Sequence, residues 1–142
     1  MAIRYLVDTN VWSESFRKTP DAGVLEWLAK HEDELSISVV VVGEMQHGIF
    51  ALEDGEKKKA LQKLTKGIYE EVHCYAWDLK TALIWGEFGG EGQRKKPPIK
   101  FSVRDSFIAA TALRHNLTLV TRNVKDFKNV PELKIFNPFE KA

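Results

Sequence analysis

The chain has 142 residues, of which 21 are basic and 20 are acidic, so its formal net charge is only +1. A chain of this length is enough for one domain and can bury roughly two thirds of its unfolded surface. The near balance of charge excludes the global basic field that obligate nucleic-acid binders carry. A polyanionic ligand would have to be held by local basic patches or by metal ions.

Three features of the sequence bear on its location. The single cysteine, Cys74, has no partner for an internal disulfide, and the N-terminus lacks the basic segment and long apolar stretch of a signal peptide. The most apolar run, Val39 to Val42, is far shorter than the roughly 18 residues that a membrane span requires. We therefore expect a cytoplasmic protein that does not enter a membrane.

The first half of the chain alternates strand-like apolar runs with helical patterns. The stretch from Leu35 to Val42 is ambiguous, because its β-branched residues favour a strand while the following "GEMQHGIF" looks helical. We predict a short strand that ends at Ile37, with Ser38 as the N-cap of the helix after it. The predicted elements are a strand over Ile3 to Val7, a helix from about Val11 that Thr19-Pro20-Asp21 ends, a short helix over Val24 to Leu28, a strand over Leu35 to Ile37, and a helix from Val39 to about Leu52.

The second half continues the alternation, with one irregular stretch. The segment "GGEGQRKKPPIK", from Gly89 to Lys100, contains too many glycines and prolines for a regular element, and we expect a loop there. The other predicted elements are an amphipathic helix that carries Leu61, Leu64, Ile68 and Val72, a helix from Trp77 to Phe88, a buried helix after Ser102, a strand over Leu117 to Thr121, a polar turn "RNVKDF", and a strand over Lys134 to Asn137.

Alternating strands and helices are typical of an α/β domain with a mainly parallel sheet, and we expect residues 1–142 to form a single domain. In such sheets ligands bind in the crevice beyond the carboxyl ends of the strands. Acidic and amide side chains lie at the predicted ends of core elements or inside a core helix: Asp8, Asn10, Glu44, Asp105, Asn123 and Asp126. We expect several of them to meet in that crevice.

Each of these side chains also has a local explanation. Asp8 can cap the first helix, Asp105 can complete a capping box with Ser102, and most glutamates are solvated. Glu44, however, lies between "VVVV" and Met45, so a helix there offers little exposed surface, and a partly buried carboxylate needs a cation or hydrogen-bond donors. Converging carboxylates favour a divalent cation, and oxygen ligands suit Mg²⁺ or Mn²⁺.

Five motifs follow one another in a familiar order: "LVDTNV", "SISVVVVGEMQHGI", "RDSFIAATAL", "LVTRNVKDF" and "FNPF". In these motifs the chain resembles the PIN-domain ribonucleases, and most closely the VapC-like toxins of bacterial type II toxin–antitoxin pairs. The resemblance extends from Ile3 to Phe139.

The resemblance implies a three-layer α/β/α PIN-like fold whose acidic cluster binds Mg²⁺ or Mn²⁺ and cleaves RNA. By motif position, Asp8, Glu44 and Asp105 correspond to three acidic residues of the family. Many relatives have a fourth aspartate where this chain has Asn123, and Asp126 is a candidate for the missing charge. The resemblance also implies a cognate antitoxin partner and a homodimer.

The same assignment gives each residue a chemical role. A metal ion held by Asp8 and Asp105 would lower the pKa of a bound water and place it for attack on phosphorus. Glu44 could orient that water, take its proton or contribute a ligand. The predicted outer donors, which hold the ligands in place, are Asn10, Thr121 and Asn123.

Basic side chains near these residues are candidates for RNA contact. Arg104 and Arg122 each adjoin a predicted site residue. Arg94, Lys95 and Lys96 lie on the predicted loop before the Asp105 helix, where a basic segment could follow a phosphate backbone. For this loop a solvated linker is an equally good interpretation.

Two other functions remain open from the sequence. A strand that ends in Asp8 could supply the nucleophile of a phosphotransferase, although such sites usually carry a second aspartate where this chain has Asn10. Alternatively, the chain could be a PIN-like module that binds RNA or a partner without catalysis, which Asn123 would favour.

Overall fold

The computed structural model describes residues 2–140 and is organised around a parallel sheet. Its strands are β1 (Tyr5–Val7), β2 (Leu35–Ser38), β3 (His73–Tyr75), β4 (Thr118–Val120) and β5 (Lys134–Phe136). They lie in the order β3-β2-β1-β4-β5, and every neighbouring pair is parallel. β1 is therefore central. β2 and β3 extend the sheet on one side of it, and β4 and β5 extend it on the other, so the strand order reverses beside β1.

Helices connect all of these strands. They are α1 (Thr9–Trp12), α2 (Ala22–Lys30), α3 (Val39–Phe50), α4 (Glu56–Glu71), α5 (Leu79–Gln93), α6 (Val103–Arg114) and α7 (Val124–Phe127), with 3-10 turns at Ser13–Phe16 and Glu32–Glu34. Because crossovers between parallel strands are right-handed, the change of direction at β1 places helices on both faces of the sheet. The predicted three-layer α/β/α fold is confirmed. None of the helices within residues 2–140 is long and apolar enough to cross a bilayer.

The centre of the sheet is fully buried. Leu6 and Val7 on β1 and Leu119 and Val120 on β4 have no exposed surface, as expected for strands that are covered on both faces. Asp8 directly follows Val7 and is equally inaccessible. The first residue beyond the central strand is thus a carboxylate inside the molecule, at the crevice where the order of strands reverses.

Helix α6 brings a second acidic position to the same edge. Ser102 caps it by accepting a hydrogen bond from the Asp105 backbone N–H at 3.0 Å, and Ile108 and Ala109 are fully buried against the sheet. At the other end, Asn116 adopts a positive φ of 53°, a conformation that commonly ends helices. The two ends fix α6 so that its first turn lies at the carboxyl edge of the sheet.

Strand β3 was missed by sequence reasoning. The segment "HCY" is only three residues long and pairs with β2 at the edge of the sheet, where two of its three side chains are exposed. It therefore lacks the apolar pattern on which strand prediction depends. Val72, predicted to be helical, is the extended C-cap residue that directly follows α4.

Two predicted irregular segments are partly helical. α5 continues to Gln93, so the prediction of a loop from Gly89 was wrong at its start. A methyl group on Gly92 would lie 3.1 Å from the ring of Phe101, so this glycine allows close packing of the following segment against the helix. "RNVKDF" was predicted to be a turn, but it contains α7, which Phe127 anchors in the core with 1% exposure. In both cases tertiary packing outweighs local preference.

Candidate active site

The site is centred on Asp8, whose two carboxylate oxygens are both fully engaged. Asp8 is the N-cap of α1, and its Oδ1 accepts the backbone N–H of Thr9 at 2.7 Å. Its Oδ2 accepts the Thr121 hydroxyl at 2.8 Å and the Asn10 amide at 3.3 Å. A buried carboxylate requires such donors. The Asp8 side chain therefore caps α1 and also lies at the centre of the candidate site.

Glu44 approaches Asp8 from α3. Ser38 caps this helix through Val41 N–H at 3.2 Å, and the neighbouring Met45 is buried. The Glu44 side chain is 33% exposed, and its Oε1 accepts the Thr9 hydroxyl at 2.8 Å. One residue, Thr9, therefore connects the two carboxylates, since its backbone N–H binds Asp8 and its hydroxyl binds Glu44.

Arg104 lies between three carboxylates. Its Nε donates to Glu44 Oε2 at 2.5 Å, one terminal nitrogen to Asp105 Oδ1 at 2.6 Å, and the other to Asp8 Oδ1 at 2.6 Å. The second of these terminal nitrogens also reaches Thr9 Oγ1 at 3.2 Å. We expected Arg104 to contact a phosphate, but the structure places its guanidinium inside the acidic cluster.

The electrostatics of Arg104 follow from this position. Partial burial opposes the charged guanidinium and by itself would lower the pKa of Arg104. The hydrogen bonds and charges of Glu44, Asp8 and Asp105 outweigh that effect, so the pKa of Arg104 lies above its ordinary value. Arg104 is therefore a permanent cation in the cluster, and three carboxylates against one guanidinium leave the cluster with net negative charge.

The Asp105 carboxylate does not complete a capping box. The Ser102 hydroxyl accepts the Asp105 N–H, but no return hydrogen bond from the Ser102 N–H to the Asp105 side chain is present in the described residues. The carboxylate instead pairs with Arg104. Its side chain, 19% exposed, is thus directed to the cluster rather than to the helix end.

The cluster has the donor chemistry of a magnesium or manganese site, since its ligand atoms are carboxylate oxygens with a hydroxyl beside them. With the guanidinium between them, however, the carboxylates stand apart. In residues 2–140 no three acidic, histidine or cysteine side chains are grouped closely enough to coordinate one ion. Asp8, Glu44 and Asp105 have the oxygen ligands that suit a divalent ion, and the Arg104 guanidinium lies between them.

The predicted outer donors lie around Asp8. The amide nitrogen of Asn10 reaches both Asp8 and the Thr121 hydroxyl, the latter at 3.2 Å, and its oxygen accepts the backbone N–H of Arg122 at 3.0 Å. The backbone N–H of Asn123 donates to Thr121 Oγ1 at 3.1 Å. The Asn123 side chain itself is exposed and makes no hydrogen bond to a described residue.

The remaining predicted residues lie outside the cluster. Asp126 is exposed on α7, and within the described part of the chain its side chain forms no ion pair or hydrogen bond. The guanidinium of Arg122 lies 4.5 Å from the ring centroid of Phe139. Arg94, Lys95 and Lys96 are exposed at and beyond the end of α5, before the α6 helix.

Thr9 is the site residue that sequence reasoning missed. A threonine that follows an aspartate reads as the first residue of an ordinary helix, and no local pattern reports a contact with Glu44, 35 positions away. The motif "LVDTNV" contained the available signal, because Asp8 and Thr9 are adjacent in it.

The alternative in which Asp8 acts as the nucleophile of a phosphotransferase is disfavoured, because each of its oxygens already accepts two hydrogen bonds.

Comparison with known proteins identifies the family of this chain. The PIN domain family model matches residues 5–133. Among curated proteins, the chain is 31% identical to Ribonuclease VapC2 of Rickettsia felis over 135 residues, covering 94% of this chain and 96% of that protein. It is 30% identical to Toxin FitB of Neisseria gonorrhoeae over 138 residues, covering 94% and 97%.

Comparison with solved structures finds relatives of the same two kinds, FitB and VapC2. The FitAcB structure from Neisseria gonorrhoeae superposes with a TM-score of 0.86 at 29% identity, covering 96% of this chain and 99% of that chain. The VapBC2 structure from Rickettsia felis bound to a promoter DNA fragment has a TM-score of 0.78 at 28% identity, covering 96% and 98%. The resemblance predicted from the five motifs is confirmed, and the chain belongs to the PIN domain family, in its VapC-type branch.

Proposed function

We propose that this chain is a metal-dependent endoribonuclease and the toxin of a type II toxin–antitoxin pair. The single observation that carries this proposal is the meeting of Asp8, Glu44 and Asp105 around one cation at the carboxyl edge of the sheet. These side chains come from three separate elements and bring net negative charge to the crevice where α/β sheets bind ligands. Relatives that are named ribonucleases and toxins support it.

In this proposal Asp8 and Asp105 hold Mg²⁺ or Mn²⁺, and Glu44 either adds a ligand or acts on the attacking water. When bound there, the ion would lower the pKa of a water molecule and offset charge on the phosphate. Glu44, whose Oε1 is held by the Thr9 hydroxyl, would be the group that positions the attacking water or accepts its proton. Asn10 and Thr121 keep the Asp8 carboxylate in place through their hydrogen bonds.

Exposed basic groups outside the cluster are the proposed contacts to RNA. Arg122 extends from the end of β4 beside Asn10 and is steadied by Phe139. The exposed Arg94, Lys95 and Lys96 offer further phosphate contacts on the segment that leads to α6. Asn123 and Asp126 are the candidates for a fourth position in the site, and the exposure of both makes their contribution weaker than that of Asp8, Glu44 and Asp105.

The proposed biological setting is a cytoplasmic toxin, one PIN-like domain over residues 1–142, held inactive by a cognate antitoxin and able to form a homodimer. Structural relatives that are toxin–antitoxin complexes support the antitoxin partner. An apolar groove adjoins the acidic cluster at Thr9 and Glu44 and continues along Phe16, Ile49 and Leu61. A groove of this kind could receive an apolar segment of the partner.

The proposal is tested by incubating the purified chain, free of any partner, with total cellular RNA in Mg²⁺ or in excess chelator. The expected result is site-specific cleavage that requires the metal and is lost in Asp8→Asn, with the cut positions identified by end mapping. Equal cleavage by Asp8→Asn would contradict the assigned site. RNA binding without cleavage under every metal condition would instead favour a non-catalytic binding module.

A further inference from the structure

The feature with the widest consequence is the set of contacts made by Arg104. Its guanidinium has five N–H donors, and the contacts to Glu44, Asp105, Asp8 and Thr9 use four of them. The three carboxylate contacts join a guanidinium to carboxylates and are charge-assisted hydrogen bonds, which are stronger than neutral ones. Almost all of the hydrogen-bonding capacity of Arg104 is therefore committed to the acidic cluster.

These contacts use the oxygens that a metal ion would need. Arg104 binds Oδ1 of both Asp8 and Asp105 and Oε2 of Glu44. The other Asp8 oxygen, Oδ2, already accepts hydrogen bonds from Thr121 and Asn10. A divalent ion and the Arg104 guanidinium therefore compete for the same face of the cluster, and two cations there would also repel each other.

The Arg104 side chain can leave without disturbing the fold. It originates in the first turn of α6, it is 31% exposed, and its hydrogen bonds and ion pairs within residues 2–140 are all to polar side chains of the cluster. A long, partly exposed arginine can turn towards solvent while its helix stays in place. Two of the three carboxylates, in contrast, are anchored independently of Arg104, Asp8 by Thr9 N–H and Thr121, and Glu44 by the Thr9 hydroxyl.

We propose that Arg104 is the built-in counter-cation of this site, and that a divalent ion binds by displacing its guanidinium from between Asp8, Glu44 and Asp105. Arg104 thereby makes metal affinity weaker than the carboxylates alone would give, because the binding-competent arrangement is only partly populated. Once displaced, the guanidinium is released at the rim of the cluster and becomes available to an RNA phosphate. This inference rests on the proposed metal-dependent function.

The first experiment titrates Mn²⁺ into wild type, Arg104→Gln and Arg122→Gln by calorimetry. Arg122→Gln is the matched control, because it removes the same charge one residue beyond Thr121 without removing a contact to a carboxylate. If Arg104 occupies the cluster about nine tenths of the time, Arg104→Gln lowers the Kd for Mn²⁺ about tenfold, and the control changes it far less. An unchanged or higher Kd in Arg104→Gln would overturn the proposal.

The effect of Mn²⁺ on the Tm of the same proteins gives a second test of the proposal. A ligand that binds the folded state raises Tm according to its concentration relative to Kd, so saturating Mn²⁺ is expected to raise Tm more in Arg104→Gln than in wild type. A larger rise in wild type would contradict the inference, because it would mean that Arg104 assists metal binding.

Wild-type protein tests the displacement directly if Arg104→Gln does not fold. The Arg104 Nε–H is held by Glu44 and should exchange slowly with solvent in metal-free protein, as observed by ¹⁵N NMR of labelled arginine. Saturating Mg²⁺ should release it to fast exchange. Continued protection at saturating Mg²⁺ would overturn the proposal. Failure of the proposed function is distinguishable, because then neither wild type nor Arg104→Gln binds Mn²⁺ or cleaves RNA.

Discussion

Thr121 donates its hydroxyl to Asp8 Oδ2 at 2.8 Å, a hydrogen bond that joins residues 113 positions apart in the chain. Both residues follow the last residue of a central strand, Val7 in β1 and Val120 in β4, and both are fully buried. The bond ties the two strand ends at the point where the strand order reverses. It also fixes the orientation of the carboxylate around which the rest of the cluster is arranged.

Removal of this donor should destabilise the protein. Thr121→Val keeps the shape of the side chain but leaves the buried Asp8 carboxylate short of one hydrogen bond and removes the oxygen that accepts from the Asn10 amide and the Asn123 N–H. We expect the free energy of unfolding to fall by about 1–3 kcal/mol. Urea denaturation at neutral pH measures it. Thr111→Val is the control, because the equally buried Thr111 donates only to the neutral carbonyl of Phe107. Equal losses in the two variants would contradict a special role for the Asp8 contact.

Thr9 should affect catalysis through Glu44. Thr9→Val removes the hydroxyl that orients Glu44 Oε1, and we expect kcat for RNA cleavage to fall about 10–100-fold, the usual effect of losing a group that orients a site residue. Thr9→Ser keeps the hydroxyl and should retain most activity. A drop in Thr9→Ser as large as in Thr9→Val would mean that the methyl group, rather than the hydrogen bond, matters.

Asp126 should contribute little to metal binding. Its side chain is exposed and makes no ion pair within residues 2–140. Surface substitutions of this kind usually change free energies by less than about 0.5 kcal/mol, which corresponds to roughly twofold in affinity. Calorimetric Mn²⁺ titration of Asp126→Asn should therefore give nearly the wild-type Kd. A loss of affinity above tenfold would instead identify Asp126 as the fourth acidic position.

Asp78 should confer stability that depends on pH. The Thr81 hydroxyl and backbone N–H both donate to its carboxylate at the start of α5, and they lower the pKa of Asp78 to about 2 from an ordinary 3.8. A depressed carboxyl pKa stabilises the folded state above the unfolded pKa, and this contribution is lost as pH falls from about 4 through about 2. Urea unfolding curves recorded across this range measure the effect.

Asp78→Asn is the matching variant for this prediction. Asparagine can still cap the helix but cannot titrate, so the difference in stability between wild type and Asp78→Asn should shrink as the pH falls towards 2. A difference that stays constant over the same range would show that the charged form of Asp78 is not what stabilises the start of α5.

The sequence marks the acidic positions as candidates but does not give their arrangement. Asp8 follows a β-branched strand, Glu44 lies in an apolar helix and Asp105 follows a capping serine, so each is marked by its neighbours. The contacts of Arg104 depend on β1, α3 and α6 meeting at one edge, which no local pattern reports. The glycines of α5 were misread for a related reason, because packing against α6 holds them in a helix that their own preferences oppose.

The central claim is tested most directly by RNA cleavage with Asp105→Asn in saturating Mg²⁺. Of the two carboxylates proposed to hold the metal, Asp105 is the more exposed, and it pairs with Arg104. Its substitution therefore disturbs the fold less than a change at the buried Asp8. Asp54→Asn, at a carboxylate with 98% exposure, is the control. The account predicts at least a ~100-fold loss of cleavage rate in Asp105→Asn and no loss in the control. Cleavage by Asp105→Asn at the wild-type rate would contradict it.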